Sequence, residues 1–130
     1  MLNRPGIRKE SAVTPNDILF NAQDHVSVGI TLAKNFVGAV TENGRKIVKA
    51  GTPLNGDLKA RGTAFVAAAD TTNPAVGVLR FDVDVTDSAA NGTLVIWGFV
   101  NMNRLDSTTA GLITSEREKE LAGRVWFLKD

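Results

Sequence analysis

Along much of this chain apolar residues alternate with polar or small ones, and a period of two predicts strands. In Val26-Ser27-Val28-Gly29-Ile30-Thr31-Leu32-Ala33 the alternation puts Val26, Val28, Ile30 and Leu32 on one strand face. Residues 36–40 and 46–48 flank Glu42-Asn43-Gly44. Asn-Gly between such segments predicts a hairpin, because both residues tolerate positive φ. Residues 75–85 form the clearest strand region: Val76, Val78, Arg80, Asp82 and Asp84 fall on one face, Gly77, Leu79, Phe81, Val83 and Val85 on the other. Residues 93–100 are almost wholly apolar, which predicts a strand covered on both faces. Gly98 within that run marks a bulge or a close backbone contact. Residues 124–129 predict a closing strand.

The intervening stretches read as turns and one helix. Residues 49–54 leave the hairpin through a Gly/Pro-punctuated turn, and Asn55-Gly56-Asp57 is a second turn. Residues 63–69 are ambiguous, since alanine favours helix while Phe65-Val66 suits a buried strand; a strand feeding a loop over 70–74 is the expectation. Residues 86–92 read as a polar turn and 107–111 as a loop. After Thr114 a short helix is expected, with Ser115 as N-cap, Glu118 completing a capping box and Gly123 ending it. Residues 1–17 are polar, carry Pro5, Gly6 and Pro15 and lack helical periodicity, so they read as an extended arm, or else as a frayed tail. Ile18-Leu19-Phe20 would anchor that arm. The pattern therefore predicts a mainly β domain over 18–130, an N-terminal arm over 1–17 and one short C-terminal helix.

Composition narrows the chemistry. With 130 residues and 43% hydrophobic content, the chain suits one domain that buries about two-thirds of its unfolded surface. The net charge of +1 gives no bulk attraction to nucleic acid or acidic membranes. Arg4, Arg8 and Lys9 cluster, as do Arg45, Lys46 and Lys49, but no aromatic residues interleave with them as a nucleic-acid groove would require. There are no cysteines, which excludes disulfides, thiolate metal sites and cysteine nucleophiles. No apolar run approaches the roughly 20 residues needed to span a bilayer. The N-terminus has no apolar core behind its charges and does not read as a signal peptide; cytoplasm, or a particle assembled there, is the expected location.

Catalytic signatures are equally sparse. His25 is the single histidine, so a two-histidine metal site is impossible and a triad would rest on this residue. No G-x-S-x-G, P-loop or G-x-G-x-x-G occurs. Asp82-Val83-Asp84-Val85-Thr86-Asp87 invites a calcium reading, but Asp87 stands where an EF-hand requires glycine and Thr93 where it requires the bidentate glutamate. A solvated strand face leading into a turn is expected instead. Trp97, Phe99, Trp126 and Phe127 are read as core, with an interface patch as the alternative.

The residues Ala75-Val76-Gly77-Val78-Leu79-Arg80-Phe81-Asp82-Val83-Asp84-Val85-Thr86, then Ile96-Trp97-Gly98-Phe99-Val100-Asn101, then Arg104-Leu105, resemble the head-decoration proteins of tailed bacteriophages. Proteins of that family carry an A-x-G-I-L strand, a D-V-D-V-T turn and a G-x-V-N-x-x-x-L strand. Lys49-Ala50-Gly51-Thr52-Pro53-Leu54 is similar to their K-A-G-T-P-L element. The resemblance covers about a third of the chain; the arm and the expected helix match none of its motifs. It implies a compact β-clip/barrel-like domain and trimers seated on the outside of the expanded capsid. The implied partners are the major capsid protein and further copies of the chain, with no enzymatic activity, no cofactor, no membrane and no direct nucleic-acid contact. The implied location is the virion.

Such a protein would bind the expanded lattice better than the immature one and stabilise it by mass action. An extended arm could add a strand to a sheet edge of the capsid protein, with Arg4, Ile7, Arg8 and Val13 as candidate contacts. Two other readings compete. One is a receptor- or glycan-binding accessory of the virion, such as a head fibre or tail component, which would need Trp97 or Trp126 exposed. The other is a small β-clip hydrolase, for which only Asp82, Asp84 and Asp87 offer acids.

Overall fold

The computed structural model describes residues 17–69 and 72–129. The described residues form nine strands: β1 (Val26–Leu32), β2 (Val40–Glu42), β3 (Arg45–Val48), β4 (Pro53–Asn55), β5 (Val66–Ala67), β6 (Gly77–Leu79), β7 (Val83–Asp84), β8 (Ala90–Asn101) and β9 (Val125–Leu128). The larger sheet has the order β1-β8-β6-β4-β5, with β9 also paired to β8; β2-β3-β7 make the smaller one. All these pairs are antiparallel except β8 with β9. The chain is mainly β, as its alternating pattern predicts.

The long β8 is the spine. Its first half lies between β1 and β6. Its second half runs beside β9, and Leu19 bridges to Val100. The pleat separates two cores. Val78 pairs with Val95, and both lie in a cluster with Leu19, Val100, Leu121 and Val125. Leu79 pairs with Leu94, and both lie in a second cluster with Leu32, Leu54, Phe65 and Val85. Neighbouring strand residues point to opposite faces, so the larger sheet is covered on both sides along this stretch.

The Asn43-Gly44 hairpin forms as expected, with φ of 52° and 77° at the two turn residues. Other expectations need correction. The run 75–85 is not one strand: Gly77–Leu79 belongs to the larger sheet and Val83–Asp84 to the smaller, with a bend between them. Asp82 causes that bend by accepting the Ala50 N–H at 2.7 Å, off the ladder. Pro53–Asn55 is a strand, not a turn, because Leu54 and Pro53 pair with Gly77 and Val78. β8 starts at Ala90, inside the expected turn. The expected loop at 107–111 holds a four-residue helix, α1 (Ser107–Ala110), capped by Asp106. The expected helix is α2 (Ser115–Glu120), and its N-cap is Thr114, whose side chain accepts the Arg117 N–H; Ser115 lies one position inside. The described residues thus hold two short α-helices, not one. Apart from Asp17, the expected arm lies outside the described residues.

The segments 49–54, 75–86 and 96–105 interlock. β4, β6 and β8 are consecutive in the larger sheet. A Cβ on Gly51, at φ +95°, would lie 2.5 Å from Leu105 Cδ2. A Cβ on Gly77 would lie 2.5 Å from the Val95 carbonyl oxygen, which cannot move without breaking the ladder. Asp82 takes both the Ala50 N–H and the Lys49 ammonium, at 3.2 Å. The Thr86 hydroxyl accepts the Lys46 N–H at 2.7 Å.

Candidate functional site

The second half of β8 has a covered face and an open one. Between Val26 and Ser27 the register of β1 on β8 shifts, so Val26 opposes Trp97 and Ser27 opposes Val95, and Ile96 is the extra residue of a bulge. A bulge resets the alternation. Beyond it, Val100 turns to the cluster backed by α2, while Trp97 and Phe99 turn to the other face, past the end of the second core. β9 continues the pattern: Val125 and Phe127 pack on the first cluster, and Trp126 and Leu128 take the open face. Trp97 is 38% exposed, Leu128 43% and Val26 49%.

The rings there form one unit. Phe99 and Trp126 stack at 4.9 Å with an interplanar angle of 20°. Trp97 stands nearly perpendicular to both, at 5.8 Å from Phe99 and 5.6 Å from Trp126. Each such pair adds about 0.5–1.5 kcal/mol beyond its buried area, so the cluster is pre-organised. Phe20, itself exposed, joins the edge through its N–H on the Phe99 carbonyl at 2.8 Å. Among the described residues β9 pairs with β8 alone, so its outer edge is open. A rigid aromatic face beside an unpaired strand edge is suited to holding an extended chain segment. The core expectation for these aromatics is thus met by Phe127 and fails for Trp97; its i, i+2 partner Phe99 and the Trp126–Leu128 pair are the signal in the sequence that marks a separate face.

Beneath this face lies a clamp that the sequence did not single out. Asp17 is buried, and its carboxylate accepts from Arg80 Nη2 at 2.7 Å and from the Leu19 N–H at 3.1 Å. Arg104 Nη1 donates to the Asp17 carbonyl at 3.1 Å. Arg80 Nη1 donates to His25 Nε2 at 3.1 Å, which leaves His25 Nδ1 to donate to the Ala22 carbonyl at 2.8 Å. The Arg80 guanidinium also sits 4.7 Å from the centre of the Phe81 ring. His25 therefore holds an arginine in place; a Cβ at Gly98 would press on its own Cβ at 3.1 Å.

The acidic turn is a structural junction. Arg45 bridges Asp84 at 2.9 Å and Asp87 at 2.8 Å. Lys49 bridges Glu42 at 3.1 Å and Asp82 at 3.2 Å. The Thr86 hydroxyl and N–H, and then Arg45, pull the Asp84 carboxyl from 3.8 to about 2. The carboxylates Asp84 and Asp87 in turn raise Arg45, and Glu42 raises Lys49. Among the described residues no group of three or more His, Asp or Glu side chains is placed to hold a metal ion. Nor do they include a helix long and apolar enough to cross a membrane. Arg4, Ile7, Arg8 and Val13 lie outside the described residues.

No protein-family model matches the chain, and no curated protein matches it significantly.

Proposed function

We propose that this chain decorates the head of a tailed bacteriophage, binding the outer surface of the expanded capsid as trimers and stabilising it without catalysing a reaction. The observation that carries this reading is the interlocking of the resembling segments: β4, β6 and β8 with Gly51 on Leu105 and Asp82 on Ala50. Residues that look like separate motifs in the chain act on one another in space, which is what a shared fold demands of them. The exposed aromatic face beside the open edge of β9 supports an assembly role further.

The test is occupancy on purified particles. The protein should bind expanded heads and leave unexpanded precursors bare, with density at the local three-fold positions. Removing residues 2–14 should abolish binding while the domain keeps its β circular dichroism, because Asp17 and the clamp that seats it remain. Unchanged occupancy without those residues, or equal occupancy of precursors, would overturn the reading.

A receptor- or glycan-binding accessory is the second reading, favoured by the exposure of Trp97. It predicts saturable binding to host surface glycans that Trp97→Ala abolishes, and no preference between head forms.

A further inference from the structure

From the geometry of the aromatic face and of the chain entering it, we infer that residues 1–16 of one copy dock on the Trp97–Phe99–Trp126 face of a second copy. One carboxylate borders the face: Glu118 lines a hollow together with Trp126 and Leu128. It is not ion-paired with a described residue. An aromatic platform with a carboxylate at its rim and an open strand edge fits an extended segment that mixes cations with apolar side chains. Residues 1–16 have that composition: Arg4, Arg8 and Lys9 against the single acid Glu10, with Leu2, Ile7 and Val13 between and around them.

The direction of the chain selects a second copy. Ile18 to Phe20 run antiparallel to β8, with the Phe20 N–H on Phe99 and the Asn101 N–H on the Ile18 carbonyl at 2.8 Å. Traced backwards, the chain leaves past Asn101, away from Trp97. Asp17 is fixed there by Arg80 through its carboxylate and by Arg104 through its carbonyl. To cover its own Trp97 the segment would have to double back directly upstream of this fixed residue. A span of 16 residues extends to roughly 50 Å, ample to reach a neighbour. Such a contact joins two different surfaces, and a heterologous contact closes into a ring when its rotation allows, as a trimer requires. The inference deepens the trimeric part of the reading above and gives Arg4, Ile7, Arg8 and Val13 a neighbouring copy to bind, in place of the capsid protein.

The chain's two tryptophans are Trp97 and Trp126, so intrinsic fluorescence reports on this face alone. The experiment needs no capsid, which keeps it separate from the decoration reading. Light scattering of the full chain should give a multiple of the chain mass, and deletion of residues 2–16 should give single chains. Acrylamide quenching of tryptophan should rise at least two-fold in the deletion, and a synthetic peptide of residues 1–16 should reverse that rise saturably. In the otherwise intact chain, Arg4→Glu with Arg8→Glu should shift assembly to at least ten-fold higher concentration. An assembled deletion variant overturns the inference, as does unchanged quenching. Tryptophans shielded by the segment in a full chain that stays monomeric would place the segment on its own copy, and would overturn it too.

Discussion

At the scale of single residues, the most consequential group is Asp17. A carboxylate this buried is tolerated because Arg80 and the Leu19 N–H compensate for its lost hydration. Arg80→Ala removes the main compensation and leaves a buried charge, so it should cost about 3 kcal/mol in denaturant unfolding. Adding Asp17→Asn should recover ~1 kcal/mol or more, since the charge that needed a partner is gone. A double variant as unstable as the sum of the two single ones would mean the pair is not coupled. Asp84 behaves differently because it is exposed. Its carboxyl, held near 2 by Thr86 and then Arg45, is ionised more readily in the folded chain than in the unfolded one. A carboxyl lowered in this way contributes stability that is fully present above its unfolded value of 3.8 and is lost as pH falls toward 2. Asp84→Asn should therefore flatten the stability profile between about pH 4 and pH 2 and leave its shape above pH 5 unchanged.

At the scale of elements, what the chain reveals about itself depends on whether its signals are local. The Asn43-Gly44 hairpin, β1, β9 and the existence of α2 were legible because turn chemistry, alternation and capping act within a few residues. The division of 75–85 between two sheets was not, since it depends on Asp82 reaching Ala50, a residue 32 positions earlier. β4 escaped for the same reason: Gly51-Thr52-Pro53 reads as a turn until β6 supplies its partner. The aromatic face was half legible. The i, i+2 spacing of Trp97 and Phe99 was there to be read, but which face stays uncovered depends on a bulge set by β1 and on where the second core ends. The cap of α2 offers a sharp check at this scale. Thr114→Ala removes the acceptor of the Arg117 N–H and should cost about 1 kcal/mol. Ser115→Ala, inside the first turn, should cost nothing or stabilise slightly, because alanine has the better helix propensity. The reverse order, read by thermal melts of the two variants, would place the cap where the sequence pattern put it.

At the scale of the whole molecule, the proposed decorating role raises the question of how a domain of this size would strengthen a shell far larger than itself. A ligand shifts an equilibrium only through its different affinity for the two states, and one that binds both equally shifts nothing however tightly it binds. A trimer that fits only the spacing of an expanded lattice has that difference built into its geometry, because its contacts are placed together only there. At a hundred-fold excess over the dissociation constant, each occupied site adds about 2.7 kcal/mol to the form that binds. Small increments of this kind, repeated over a lattice, raise the temperature at which shells come apart without any single strong contact. The disruption temperature of expanded shells, followed by light scattering, should therefore rise with the logarithm of added protein once its concentration exceeds the dissociation constant. Precursor shells should gain nothing at the same concentrations. The chain lacking residues 2–14 should leave expanded shells at their starting temperature, since single domains lose the linkage that makes three contacts act as one. Equal protection of both shell forms would mean that the protein binds a surface common to both, and the stabilising role would then fail even though binding is real.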